Sequence, residues 1–101
     1  MENVVEIVKF RISEKIKQRD FLKIVDNLEK NFHSKQNGFI STDLLKSNQA
    51  NEYIMIQHWM TLVEYKEAVK QMMKDSETID FRKAIDPKSV EMSFYNVIKK
   101  Y

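Results

Sequence analysis

Two segments of this chain carry apolar side chains on both faces of an extended strand, and that constrains its fold more than any other feature. In Val4 to Ile12, the residues Val8, Phe10 and Ile12 alternate with Val5 and Ile7. In Glu52 to Met60, Ile54, Ile56 and Met60 alternate with Tyr53, Met55 and Trp59. Successive strand residues point to opposite sides of a sheet, so each strand needs apolar cover on two sides.

The segments between them read as helices and further strands. Phe21, Ile24, Val25, Leu28 and Phe32 recur at i, i+3, i+4, i+7 and i+11, one stripe of an amphipathic helix. Ser13 followed by Glu14 has the form of an N-cap and a first-turn acid, which predicts the helix start there. Asn37-Gly38 closes the helix, since glycine readily takes the left-handed conformation of helix ends. Phe39 to Lys46 and Glu52 to Met60, joined by a polar turn, predict an antiparallel hairpin. Thr61-Leu62-Val63-Glu64 is a capping box opening a second helix, with Leu62, Tyr65, Val69 and Met72 on its inner stripe. Asp75-Ser76 marks a break before a short helix that buries Phe81, Ala84 and Ile85, and Pro87 stops it. Val90 to Ile98 is the last strand, apolar at Val90, Met92, Phe94 and Ile98.

The predicted order is βαββαβ with one extra short helix. That is an α+β domain of ferredoxin-like type, a four-stranded antiparallel sheet with helices on one face. The helices leave the second apolar face bare, and a homodimer joined through the sheet face covers it, giving a dimeric α/β barrel.

Composition narrows the function classes. The chain of 101 residues fits one domain spanning 1–101. It has no cysteine, which removes disulfides, thiolate metal sites and cysteine nucleophiles. One glycine (Gly38) cannot build a phosphate-cradling loop. Lys and Arg number 17 against 15 Asp and Glu, interspersed rather than gathered on one face, which points away from nucleic acid. The RNA-recognition motif shares the element order, but Trp59 and Phe10 are not set in its aromatic signature. No run approaches the ~20 apolar residues of a membrane span, and the start of the chain lacks signal-peptide character. The expectation is a cytoplasmic protein without a membrane partner. His33 and His58, on different elements, predict no metal site.

Gln57-His58-Trp59-Met60-Thr61-Leu62-Val63-Glu64-Tyr65-Lys66-Glu67-Ala68 resembles the strand-to-helix junction of the antibiotic-biosynthesis monooxygenase family. Those proteins carry a Trp at the strand end, a small polar helix cap and an aromatic residue further on. The first strand, the Asn-Gly-Phe entering the second, and the element spacing agree over nearly the whole chain. The resemblance implies a cofactor-independent monooxygenase acting on a small aromatic, quinol-like or polyketide-type compound. In such enzymes the substrate's own enolate reduces oxygen, and the protein supplies a water-poor pocket with donors for developing negative charge. Trp59 takes the place of the family Trp, Met55 stands where such enzymes have an Asn, and Arg82 corresponds to a helical Arg that assists in some members. The haem-degrading branch is not matched: Val8 lies on the first strand where that branch has an Asn, Ala68 lies near its helical Trp, and no His follows His58.

The candidate substrate-binding residues are therefore Trp59, Phe10, Met55, Tyr65 and Met72. His58, Arg82 and Tyr95 are the candidate catalytic residues, as proton carriers or oxyanion donors. Each has a plainer reading beside it. Trp59 and the tyrosines serve as packing rings, the methionines as gap-filling core, and His58 as a structural or exposed side chain. His33 reads as a helix-end cation on the surface. The alternative function is a non-catalytic dimeric barrel that binds a small hydrophobic ligand or haem in the same cavity.

Overall fold

A computed structural model describes residues 3–101. Four strands, β1 (Val4–Arg11), β2 (Phe39–Lys46), β3 (Glu52–Trp59) and β4 (Glu91–Asn96), form one sheet in the order β2-β3-β1-β4. Every neighbouring pair is antiparallel. Helices α1 (Gln18–Asn31), α2 (Leu62–Met72) and α3 (Ile79–Ala84) complete the chain, with short 3-10 turns at His33–Lys35, Ser76–Thr78 and Pro87–Ser89. This is the ferredoxin-like α+β arrangement that the pattern predicted. The two strands with apolar residues on both faces are β1 and β3, the two central strands.

Cross-strand register sorts the residues by face. Toward the helices, Val4 opposes Trp59, Glu6 opposes Gln57, Val8 opposes Met55, and Phe10 opposes Tyr53. Toward the other side, Val5 opposes His58, Ile7 opposes Ile56, and Lys9 opposes Ile54. The outer face continues onto the edge strands with Asp43 and Leu45 of β2, and with Ser93 and Tyr95 of β4. Among the described residues no helix covers this face, and its centre is Ile7, Ile56, Ile54 and Val5. Leu45 and Tyr95 stay largely exposed beside it, and a Lys9–Glu91 ion pair of 2.9 Å lies at one side.

The inner face carries two apolar cores. Phe10, Phe21, Tyr53 and Phe81 form an aromatic cluster, with ring centroids 4.9 Å apart for Phe21–Tyr53 and 5.8 Å for Phe10–Phe81. The α1 stripe supplies it, with Phe21, Val25, Leu28 and Phe32 all buried. Val4, Trp59, Tyr65 and Ala68 form the second core at the other end of the sheet. The row Glu6–Gln57 lies between them.

Two local expectations are corrected. Helix α1 starts at Gln18, five residues beyond Ser13, and its N-cap Lys17 makes no side-chain cap. Ser13 instead closes a turn, accepting from the Lys15 N–H at 3.2 Å. The reason is tertiary: Ile12 bridges Ile85 and the Ser13 N–H donates to the Ala84 carbonyl at 3.2 Å, so this stretch is tied to the end of α3. β4 is also shorter than predicted, ending at Asn96 and beginning after Val90. The Thr61 cap holds, its Oγ1 accepting from the Glu64 N–H at 3.2 Å.

Gly38 has φ +78°, and a Cβ there would lie 2.8 Å from Glu64 Cβ and closer still to its carboxylate. Alanine at Gly38 meets both left-handed strain and a collision with the first turn of α2. Gly38→Ala is expected to cost roughly 1–3 kcal/mol, read as a lowered urea midpoint with an unchanged slope. An unchanged midpoint would contradict the packing of α2 on this turn.

Candidate functional site

The site begins with the polar row that the inner face buries between its two cores. Glu6 is 6% exposed, His33 4% and Gln57 4%. Buried polar groups are costly unless hydrogen-bonded, and each of these has a partner. The Tyr65 hydroxyl, presented by α2, donates to Glu6 Oε2. Gln57 Nε2 lies 3.0 Å from His33 Nε2 and 3.3 Å from Met55 Sδ. On its other side His33 Nδ1 bonds Glu29 Oε2, one helical turn back on α1. Phe39 stacks on the imidazole at 5.4 Å between centroids.

Electrostatics follows from burial. Desolvation raises the Glu6 carboxyl above the ordinary carboxylate value, against the smaller opposing pulls of the Tyr65 hydrogen bond and the His33 charge. Tyr65 is pushed upward by burial first, then by its bond to Glu6 and that group's charge. A raised acid stabilises the fold fully below its unfolded pKa, about 4.5, and that contribution is lost as pH rises through the folded value. Glu6→Gln keeps an oxygen to accept from Tyr65 and removes the buried charge. The variant is expected to melt higher than wild type at pH 8, with the gap closing toward pH 4. Parallel melting profiles for the two proteins over that range would refute this account of Glu6.

Between this face and helices α2 and α3 lies a cavity of about 430 Å³, within the usual range for small-molecule sites. Val8, Phe10, Met55 and Trp59 form its sheet wall, with Phe32 at the end of α1. Ala68, Val69, Met72 and Met73 line it from α2, Phe81 and Ile85 from α3 and its end, and Val90 and Met92 from the approach to β4. Its polar groups are Glu6, His33, Gln57, Tyr65 and Arg82. Arg82 is steadied by Thr78, whose Oγ1 accepts from Nε at 3.0 Å. Trp59 is 1% exposed, and among the described residues its indole Nε1–H has no acceptor.

The sequence-predicted residues divide by face. Trp59, Phe10, Met55, Tyr65, Met72 and Arg82 all border the cavity. His58 and Tyr95 do not: both oppose Val5 across the sheet and project from the outer face. Strand alternation places Trp59 and Phe94 inward, so their neighbours His58 and Tyr95 must point away. His33, read from sequence as a surface cation, is buried against the cavity. Glu6 and Gln57 were not singled out, although each shares a face with a marked residue, two positions from Val8 and Trp59. Among the described residues no three His, Asp or Glu side chains converge as a metal-binding group, and no helix is long and apolar enough to cross a membrane.

These features define a class: a ferredoxin-like α+β domain with an apolar, sparsely polar cavity between sheet and helices. Among solved structures it is similar to SnoaB, a cofactor-independent oxygenase from Streptomyces nogalater. The TM-score is 0.79 at 17% identity, over 99% of this chain and 97% of that one. A conserved protein from Methanosarcina mazei Go1 aligns at TM-score 0.70 and 14% identity, covering 94% and 92% of the two chains. A Chloroflexus aurantiacus protein, provisionally described as an antibiotic biosynthesis monooxygenase, aligns at TM-score 0.68 and 15% identity, covering 98% and 96%. At such identities the likeness is one of fold. No protein-family model and no curated protein matches the chain.

Proposed function

We propose that the protein is a cofactor-independent monooxygenase that takes a small, flat aromatic, quinol-like or polyketide-type compound into this cavity, and that it works as a homodimer joined through the outer sheet face. The observation that carries the reading is the cavity itself: about 430 Å³ of mostly apolar wall with a few isolated polar groups. The polar groups on its wall, Glu6, His33, Gln57, Tyr65 and Arg82, are few enough to orient a ligand without wetting the cavity.

The chemistry suits such a place. A ketone flanked by aromatic rings enolises, and its enol loses a proton to give an enolate. The enolate passes one electron to dioxygen, the radical pair collapses to a C–O bond, and the resulting hydroperoxide sheds water. A CH₂ group and O₂ become C=O and H₂O, so the substrate supplies all four electrons that reduce the oxygen. Trp59, Phe10, Met55 and Met72 hold the rings and exclude water. The Arg82 guanidinium donates to the developing oxyanion. Tyr65 steadies Glu6 on the adjacent wall.

Oxygen uptake across a panel of anthrones and quinols tests this reading, with ¹⁸O₂ expected to label one product oxygen. A panel in which compounds bind in the cavity but none consumes oxygen beyond the uncatalysed rate would instead favour a non-catalytic carrier of hydrophobic ligands or haem.

A further inference from the structure

We propose that His33, oriented by Glu29, is the base that removes the substrate's enol or phenol proton; this rests on the cavity being the substrate site. A histidine able to act as a general base needs a lone pair facing the substrate and a partner that fixes its tautomer. His33 has both. Glu29 is an acceptor on its Nδ1 side and therefore keeps the proton at Nδ1. Gln57 Nε2 lies 3.0 Å from Nε2, 3.4 Å from Nδ1 and 3.3 Å from Met55 Sδ, so the amide lies against the face of the imidazole and not on the axis of the Nε2 lone pair. With the proton at Nδ1 the lone pair is on Nε2, and His33 is one of the residues that line the cavity. The arrangement is a carboxylate–imidazole dyad with its basic nitrogen on the inner side and its carboxylate about a quarter exposed. It has the base-and-orienter geometry that general-base catalysis uses on unrelated folds.

The ring is enclosed by groups from several elements. Glu29 faces it from α1, and Glu6 on β1 lies close enough for its charge to interact with that of His33. From β2 and β3 the neighbours are the Phe39 ring, the Trp59 edge at 6.3 Å, and the uncharged Gln57. Tyr65 on α2 is engaged by Glu6. In the step, the substrate O–H breaks, an N–H forms at Nε2, and the electron pair stays on the substrate oxygen as the enolate or phenolate. The imidazolium is then paired with the Glu29 carboxylate. Gln57, which also borders the cavity, is placed to donate to that oxygen. His33 is thus the catalytic residue, and Glu29 a positioning residue.

The test uses 2-hydroxyanthraquinone, a flat phenol whose absorption moves to the red on ionisation and which cannot be oxygenated in the proposed way. Bound to wild type, its ionised fraction at mildly acidic pH is expected to rise about tenfold over the free dye, one pKa unit. His33→Gln should abolish that shift while the dye still binds, and Glu29→Gln should reduce it. Nitrogen-15 NMR of histidine-labelled wild type provides a readout without substitution, the His58 signals being assigned with His58→Gln. Before dye is added, His33 should show a protonated Nδ1 and a bare Nε2, and Nε2 should gain a proton when the dye binds. A protonated Nε2 in the free protein, or dye bound as the neutral phenol, overturns the base assignment and leaves the cavity reading intact. Failure of every flat aromatic to bind would overturn both.

Discussion

Lysine at Ile56 is expected to convert the proposed homodimer into protomers of 12.1 kDa at micromolar concentration. Ile56 sits on the outer face of a central strand, opposite Ile7 on one side and Asp43 on the other. In a face-to-face dimer its position is covered by the partner sheet. Removing one ammonium from water costs several kcal/mol even after relaxation, and two-fold symmetry introduces two of them. At 1.4 kcal/mol per factor of ten, the dissociation constant should rise by at least about 10³-fold. Asp43 in the neighbouring strand offers partial compensation, which glutamate at the same position would lack, so Ile56→Glu should be the more severe variant. Sedimentation velocity reads the outcome directly. Lys70→Glu, on the exposed side of α2, is the control that should leave the assembly unchanged. A wild-type protein that sediments as a folded monomer at that concentration would end the dimer reading.

Alanine at Trp59 is expected to lower stability by about 3–5 kcal/mol, the usual cost of removing a large buried aromatic. Trp59 is 1% exposed and packs edge-on against Phe39 at 5.3 Å and Tyr65 at 6.1 Å. It also walls the cavity. The milder Trp59→Phe separates packing from ligand contact. If the ring serves packing alone, phenylalanine costs stability in proportion to lost area, ~25 cal/mol per Å², and leaves ligand affinity unchanged. If it stacks on the ligand, binding of a flat aromatic should weaken by ~0.5–1.5 kcal/mol. As the one tryptophan in the chain, it reports through its own fluorescence in the parent protein. Binding detected calorimetrically with no fluorescence change, and equal affinity in Trp59→Phe, would make the residue structural.

Much of the fold could be read along the chain because the decisive signals are periodic. The Phe21–Phe32 stripe marks α1 without reference to anything else, and the two-faced alternation of Val4–Ile12 and Glu52–Met60 marks strands that sit in the middle of a sheet. Thr61 and Glu64 announce α2 through a bond made between near neighbours. Ser13 misleads for the opposite reason. Its local signal is a sound N-cap pattern, but the Ile12–Ile85 bridge and the Ser13–Ala84 hydrogen bond reach across more than seventy residues and hold that stretch out of the helix.

The site was legible in its apolar part and obscure in its polar part. Trp59, Met55, Phe10, Tyr65, Met72 and Arg82 converge because strand parity and helix spacing assign each of them a face. Parity also sends His58 and Tyr95 outward, despite chemistry that suited a catalytic role. Glu6, His33 and Gln57 carried no local mark of burial, since a charged or amide residue in a strand or at a helix end is ordinarily solvated. Their burial depends on distant partners: Tyr65 reaches Glu6 across 59 positions and Gln57 meets His33 across 24.

The sequence by itself therefore determined the element order and which residues share a face of each central strand, because both follow from side-chain periodicity of two or 3.6 residues, while which of the two faces turns to the helices was left to the tertiary structure. Only the tertiary structure decided which polar groups are enclosed, which imidazole is held by a carboxylate, and where the cavity lies. Those depend on contacts between residues far apart in the chain, and on burial, which changes the ionisation of a group such as Glu6 only once the surrounding elements have closed over it.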